Sequence, residues 1–528
     1  MGWGFTEISI GRQSMFRRVL VANRGEIAVR IIRAIHELGA EAVAVYSDAD
    51  RTARHVLLAD FAVRLGPAPA SLSYLDASLV LAAARDTGAE AVHPGYGFLS
   101  ERGAFAQACL DAGLTFVGPS PATLDATGNK VEARRLAKLA GARLVPGTAN
   151  PVATVAEAVQ VAHDIGFPLL IKAAAGGGGK GMQIVEANDA FAATLASAQR
   201  IALAAFGDGS VYLERLVRRP RHIEVQIFGD GAGDVIALGD RDCSVQRRFQ
   251  KVVEEAPAPG LTDSVRARLA SNAIAIGKAS NYGGAGTVEF LFEPETHETY
   301  FLEVNARLQV EHPVTELVHG VDLVHAQLRF ASGTPMREAL AQSGWRDPAI
   351  HGQPAPLHAI EARIGAEDVA NGWAPSAGRI GIVREPAGPG VRVDSACEPG
   401  LDVGVHYDSL LSKVIGWGPT RAIAIARLRR ALDEHVITGI ETTLPFHRWI
   451  LRHQAFLSGD VSTDFVAEHW DPAQSGHEQL SPEVTDAIRM VSSRARANAL
   501  QSRRPDAAGT TAISNWNQVA RREALRRG

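Results

Sequence analysis

The sequence predicts an α/β and α+β chain with a Rossmann-like parallel sheet first, a small mobile lid unit next, and an antiparallel sheet with helices last. Three observations carry this reading. From Arg18, apolar strand patterns alternate with helical ones; between Pro146 and Val217, two strand patterns flank a run of glycines; from Arg218 to about Trp470, the pattern turns to alternating β with interspersed helices. Strands separated by helices build parallel sheets, whereas strands joined directly build antiparallel ones.

The elements follow in order. "RVLVAN" is an apolar strand, "RGE" a tight turn, and "IAVRIIRAIHELG" a helix with apolar residues at helical spacing and Gly39 just past its end. "EAVAVYSDAD", "AEAVHP" and "LTFVGPS" read as further strands. The glycines after the first strand do not form GxGxxG, which argues against a dinucleotide site. "NKVEARRLAKLAGA" is helical; then come a helix in "VATVAEAVQVAHDIG", the strand "FPLLIK", the glycines, the strand "GMQIVE", another helix and the strand "SVYLERLV". The expected division is an extension over 1–14, an N-terminal domain over 15–128, a helical linker over 129–145, a lid over 146–217, a C-terminal domain over 218–470 and a polar, arginine-rich tail over 471–528.

Bulk properties narrow the class. A chain of 528 residues is too long for one core. A net charge of -4 lacks the basic excess of a nucleic-acid binder. Cys109, Cys243 and Cys397 are odd in number and far apart, which suits a reducing, cytoplasmic setting better than a disulfide framework. No apolar run approaches the roughly 18 residues of a membrane span, and no signal-peptide core precedes Met15. "MGWGFT" fits the short myristoylation pattern, but "MFRRVLVANRGE" reads as the true beginning, with Met15 as an alternative start.

Three stretches carry chemistry. In "IKAAAGGGGKGM", Lys180 is followed by Gly181 where a Walker A loop needs Ser or Thr, so this is a hairpin-like flap whose bare amides fold over phosphates rather than a P-loop. Lys172 closes the strand below it. In "GTVEFLFEPETHETYFLEVNARLQVEHP", a hairpin centred near Thr296 puts Glu289 opposite Glu303, with Thr287, Glu289 and Leu291 sharing a face with Phe301, Glu303 and Asn305. Opposed carboxylates repel, and a divalent cation such as Mg²⁺ or Mn²⁺ between them removes that penalty. Further on, Arg307, Gln309 and Glu311 fall at alternate positions if extended, a set suited to holding a small oxyanion beside a base. "RDCSVQRRFQKVVEE" adds Arg247, Arg248 and Lys251.

These blocks, with "HPGYGFLSE", "RPRHIEVQ" and "YDSLLSKVI", closely resemble the biotin carboxylase component of biotin-dependent carboxylases, of the ATP-grasp fold, from about Phe16 to about Trp470. The resemblance implies that ATP phosphorylates bicarbonate to carboxyphosphate, whose CO2 is attacked by biotin on a carrier protein. It implies that Lys130, Lys172, Glu214, His222 and the loop Gly176, Gly177, Gly178, Gly179 hold ATP, and that Glu289 and Glu303, supported by Asn305, hold two metal ions. It further implies that Lys251, Arg307, Gln309 and the backbone of Val310 hold bicarbonate, that Glu311 is the base, and that Arg363 stabilises the biotin enolate. Tyr96 and Asp408, with Gly97 and Phe98, lie around biotin.

The chain departs from the family at Phe249, where histidine is common, and at Pro389, near the dimer positions matched by Arg33, Glu37 and Arg392. A homodimer is expected. No methionine adjoins a lysine, so the biotinylated carrier and the carboxyltransferase are expected on other chains, and the final acyl acceptor stays open. Two alternatives are another ATP-grasp ligase and a non-catalytic ATP-binding assembly component. Intact Glu289, Glu303, Lys251, Glu311 and Arg363 favour the carboxylase.

Overall fold

The protein is described by a computed structural model covering residues 15–148, 150–152, 154–174, 182–352 and 357–472. The 1–14 extension, the tail beyond 472 and the glycines 176–179 therefore lie outside the described residues.

The first sheet has five parallel strands in the order Phe61–Gly66, Glu41–Ser47, Arg18–Val21, Ala91–His93 and Thr115–Phe116. Its central strand reads as an unbroken apolar run because both faces are covered: Leu20 packs into one core, Val19 and Val21 into another. The strand Phe61–Gly66 was not foreseen, because it is an edge strand with little buried apolar pattern. The expected linker helix runs Lys130–Leu139, with Asn129 as its N-cap accepting from the amides of Val131 and Glu132, and is preceded by an unforeseen helix, Pro121–Gly128.

The lid unit is a three-stranded antiparallel sheet ordered Gln183–Val185, Leu169–Ala173, Val211–Arg215, with the helices Val155–Ile165 and Asn188–Phe206. It has its own small core of Leu169, Ile171, Leu213, Phe191 and Leu195. Leu169 pairs with Val185, so the glycine run connects the two arms of a hairpin, as the sequence predicts.

The floor of the molecule is an eight-stranded antiparallel sheet in the order Glu298–Asn305, Gly283–Glu293, Arg221–Asp230, Val235–Arg247, Gln250–Ala256, His358–Gly365, Leu410–Gly418, Val391–Ser395. Glu289 faces Glu303, and Thr287 faces Asn305, as the hairpin arithmetic predicts. Beyond Glu289 the register slips by one, so that Phe290 pairs with Phe301 and Leu291 with Tyr300. The expectation that Leu291 shares a face with Phe301 is corrected accordingly. The bulge lets both phenylalanine rings enter the core, edge to face at 6.4 Å, without moving the glutamate pair.

Candidate active site

Every described residue given a catalytic, nucleotide, metal or substrate role above lines one cleft of about 1900 Å³ between the large sheet, the lid and the N-terminal unit. The large sheet builds its floor. Glu303, Glu289, Glu224 and Arg241 stand abreast on four adjacent strands, because the cross-strand registers place each opposite the next. His222, Glu224 and Gln226 alternate along one strand, so their side chains share this face.

Lys251 enters this row from the neighbouring strand. Its Nζ lies 2.6 Å from Glu224 Oε2, 2.7 Å from Glu289 Oε1 and 2.7 Å from Glu311 Oε1, using all three ammonium donors. Glu311 Oε2 accepts from Arg363 Nη2 at 2.8 Å, and Arg363 also meets the buried Glu254. Glu289 further accepts from Asn305 Nδ2 at 2.9 Å and Gln309 Nε2 at 2.8 Å, and lies 2.8 Å from His222 Nε2. The segment after Asn305 is not extended: the strand ends there, and Glu311 sits immediately before the helix His312–His319. A bend rather than a strand thus brings Gln309 and Glu311 to the floor. Arg307 pairs with Glu101 at 3.1 Å and donates to Asn305 Oδ1. The carbonyl of Val310 accepts from the buried Lys413 at 2.8 Å.

Burial makes these charges interdependent. It opposes ionisation of Glu289 and Glu311, yet Lys251 beside both, His222 beside Glu289, and Arg363 and Arg241 near Glu311 hold the two carboxyls well below the usual range. Burial likewise opposes the Lys251 ammonium, and its three carboxylates overcome that and raise it well above the ordinary lysine value. Glu303 is exposed to the cleft; desolvation by the cleft walls and the neighbouring Glu289 charge raise it. The pair Glu289 and Glu303, with the Asn305 amide alongside, offers hard oxygen ligands at the edge of the cleft, and their mutual repulsion fits a divalent cation.

The opposite wall is sparser. Lys172 and Arg134 both meet Glu214, Arg134 Nη1 at 2.8 Å. Burial opposes the Glu214 charge, and those two cations lower its pKa nonetheless. Lys130 begins the helix Lys130–Leu139 at the cleft. The structure places His222 with Glu289 and Gln246 rather than with this group. Tyr96 donates to the buried Glu26, and exposed Asp408 accepts from the amide of Leu410. Arg248 and Phe249 form the tip of a hairpin at the cleft, both with positive φ, and Phe249 is 56% exposed. Of the residues matched to dimer positions, Arg392 binds Glu316 and Asp394 of the same chain, and Glu37 binds His325.

Sequence reasoning passed over Glu224, Arg241, Glu254 and Arg134. The alternation in "RHIEVQ" marks Glu224 as sharing a face with His222, but nothing local says which neighbours it meets.

Three family models match in sequence: the biotin carboxylase N-terminal domain over 15–124, the carbamoyl-phosphate synthase L chain ATP-binding domain over 129–339, and the biotin carboxylase C-terminal domain over 361–468. Biotin carboxylase 1 of Bacillus subtilis is 46% identical over 455 residues, covering 86% of this chain and 98% of its own. The biotin carboxylase of a Nostoc species is 47% identical over 453 residues, 86% and 99% of the two chains. Among solved structures, a biotin carboxylase–nucleotide complex from Campylobacter jejuni superposes with a TM-score of 0.79 at 41% identity, covering 86% of this chain and 99% of that one. The biotin carboxylase domain dimer of Hydrogenobacter thermophilus 2-oxoglutarate carboxylase, bound to MgADP, ADP and bicarbonate, gives 0.79 at 42% identity, with 86% and 98% covered. The chain belongs to the biotin carboxylase family, a family of ATP-dependent ligases built on the ATP-grasp fold.

Proposed function

We propose that this chain carboxylates biotin on a separate carrier protein, using ATP and bicarbonate through carboxyphosphate, as the first half-reaction of an acyl-CoA carboxylase. The observation that carries this is the floor of the cleft, where Glu311 is held ionised between Lys251 and Arg363 with the Gln309 amide beside them. An ionised carboxylate next to cations and an amide donor suits a small oxyanion that must lose a proton.

In this reading Lys251, Arg307, Gln309 and the backbone of Val310 hold bicarbonate, and Glu311 takes its proton. The cations that keep Glu311 ionised also weaken it as a base. Bicarbonate arriving beside Lys251 draws off part of that charge and makes Glu311 a better acceptor. The deprotonated oxygen attacks the γ-phosphorus of ATP and ADP leaves; carboxyphosphate then releases CO2 and phosphate, and biotin N1 attacks the CO2. Lys130, Lys172, Glu214, His222 and the glycines 176–179 hold the nucleotide. Glu289 and Glu303, with Asn305, hold Mg²⁺ or Mn²⁺, which offsets phosphate repulsion when bound. Arg363 faces the biotin enolate, and Tyr96 and Asp408 border it.

The domain division given above, a homodimer, a carrier and carboxyltransferase on other chains, and a cytoplasmic setting belong to the same proposal. The Bacillus subtilis and Nostoc biotin carboxylases are matched over nearly their whole length, which leaves no room in them for a carrier domain and supports partners on separate chains. Among the described residues no helix is long and apolar enough to cross a membrane. The test is an ATPase assay with and without bicarbonate and free biotin. Turnover that needs bicarbonate and rises with biotin is expected; turnover indifferent to both sinks the proposal.

A further inference from the structure

Behind the cleft floor lies Arg241, with no exposed area. A guanidinium has five N–H donors and no acceptor. All five are used: Nε donates to Glu224 Oε1, Nη1 to Gln226 Oε1 at 2.7 Å and Thr315 Oγ1 at 2.9 Å, and Nη2 to Thr287 Oγ1 at 3.0 Å and Gln309 Oε1 at 2.7 Å. The acceptors come from two strands, the bend after Asn305 and the helix His312–His319. Each stands close in sequence to a group on the cleft floor: Glu224 two residues from His222, Thr287 two from Glu289, Thr315 four from Glu311.

We propose that Arg241 is a positioning residue of the carboxylation site: its guanidinium fixes the orientation of the Gln309 amide and clamps Glu224 as the anchor of Lys251. This rests on the functional reading above. For Gln309, a donor-only partner on one side obliges the side chain to present its oxygen there, which sends Nε2 towards Glu289 Oε1 at 2.8 Å. The second N–H of that amide has no protein partner among the described residues, and Gln309 lines the cleft, so this hydrogen is the one presented to an oxyanion. For Glu224, one carboxylate oxygen is taken by Arg241 and the other holds Lys251 Nζ at 2.6 Å. Arg241 thus stands one bond behind both donors assigned to bicarbonate, and touches neither nucleotide residue of the lid wall.

A residue needed only for folding would weaken every ligand alike. A positioning residue weakens bicarbonate and spares ATP. The experiment compares the parent protein with Arg241→Lys and Arg241→Met, measuring the bicarbonate KM in ATP turnover and ATP affinity by calorimetry. The bicarbonate KM is expected to rise about 10- to 100-fold, with ATP affinity within about threefold of the parent, since small misplacements of reacting groups cost on that order. Lysine, which reaches Glu224 but cannot span to Gln309 as well, should restore part of the loss seen with methionine. In the double variant Arg241→Met with Gln309→Ala, the combined effect should fall well short of the product of the two single effects, because both act on one amide. Additive effects, equal losses for ATP and bicarbonate, or loss of ATP binding in both single variants would each overturn the assignment. A parent protein whose turnover ignores bicarbonate would instead refute the functional reading on which it stands.

Discussion

The two walls of the cleft hold their charges in different ways. On the floor, Lys251 meets three carboxylates, Glu311 meets two cations, and Arg241 fills every donor; the partners come from five strands, a bend and a helix of one extended sheet unit. On the lid wall, Lys172 and Arg134 share the single carboxylate Glu214, within a three-stranded unit whose core is small. The floor is therefore assembled before any substrate arrives, since no one partner can leave without stranding a buried charge. The lid wall has its nucleotide-facing groups paired with one another, and ATP must displace that pairing. Preorganisation belongs to the end where proton transfer and oxyanion binding occur; exchange belongs to the end that grips a ligand with its own charges.

The largest effect that sharpens this contrast is at the floor. Glu311→Gln removes the base but keeps a side chain of the same shape between Lys251 and Arg363. Bicarbonate-dependent ATP turnover should fall about 10²- to 10⁴-fold, the usual contribution of a positioned acid or base, while ATP still binds. Retention of more than a tenth of the parent rate would remove Glu311 from the reaction.

The next effect is on the lid wall and should be confined to it. Lys172→Gln deletes one of the two cations on Glu214. The KM for ATP should rise on the order of 10-fold, as expected for the loss of a charged contact to phosphate, and the KM for bicarbonate should stay where it was. If the two constants rise together, the walls are coupled and the contrast fails.

The same contrast governs what was legible in the sequence. Glu289 opposite Glu303 could be read because the two strands are joined by a short turn, so counting outward from Thr296 gives the register. Counting could not foresee the bulge that sends Phe301 to Phe290, because a bulge answers to the core beneath it. The first sheet and the lid hairpin were legible for a similar reason: their periodicity is local. Arg241 and Glu254 were not, since their partners lie as far as 74 and 109 residues away and an isolated arginine or glutamate in a strand looks like surface. Lys251, His222 and Arg363 were placed through family resemblance, not periodicity. The structure then adds what a motif omits, namely that His222 serves Glu289 and that Lys172 serves Glu214.

The smallest effect tests how tightly the floor is wound. Glu254 lies directly across the sheet from Glu361, and both are fully buried. Burial pushes Glu254 up to about 7, against the pull of Arg363, with the Glu311 charge adding to the rise. Glu361 is raised well above the carboxylate range, also by burial, with Lys413 opposing. The sign follows from linkage. A carboxyl whose folded pKa is raised keeps a proton that the unfolded chain releases, so stability is full below the unfolded value and declines as pH climbs towards 7. Glu254→Gln carries no such proton yet keeps an acceptor for Arg363. Its unfolding free energy should therefore decline less than the parent's between pH 5 and pH 8, by on the order of 2 kcal/mol. Urea midpoints at the two pH values measure this. Parallel declines in parent and variant would mean that Glu254 is ionised throughout, and that the floor holds one more negative charge than its cations and the buried pair suggest.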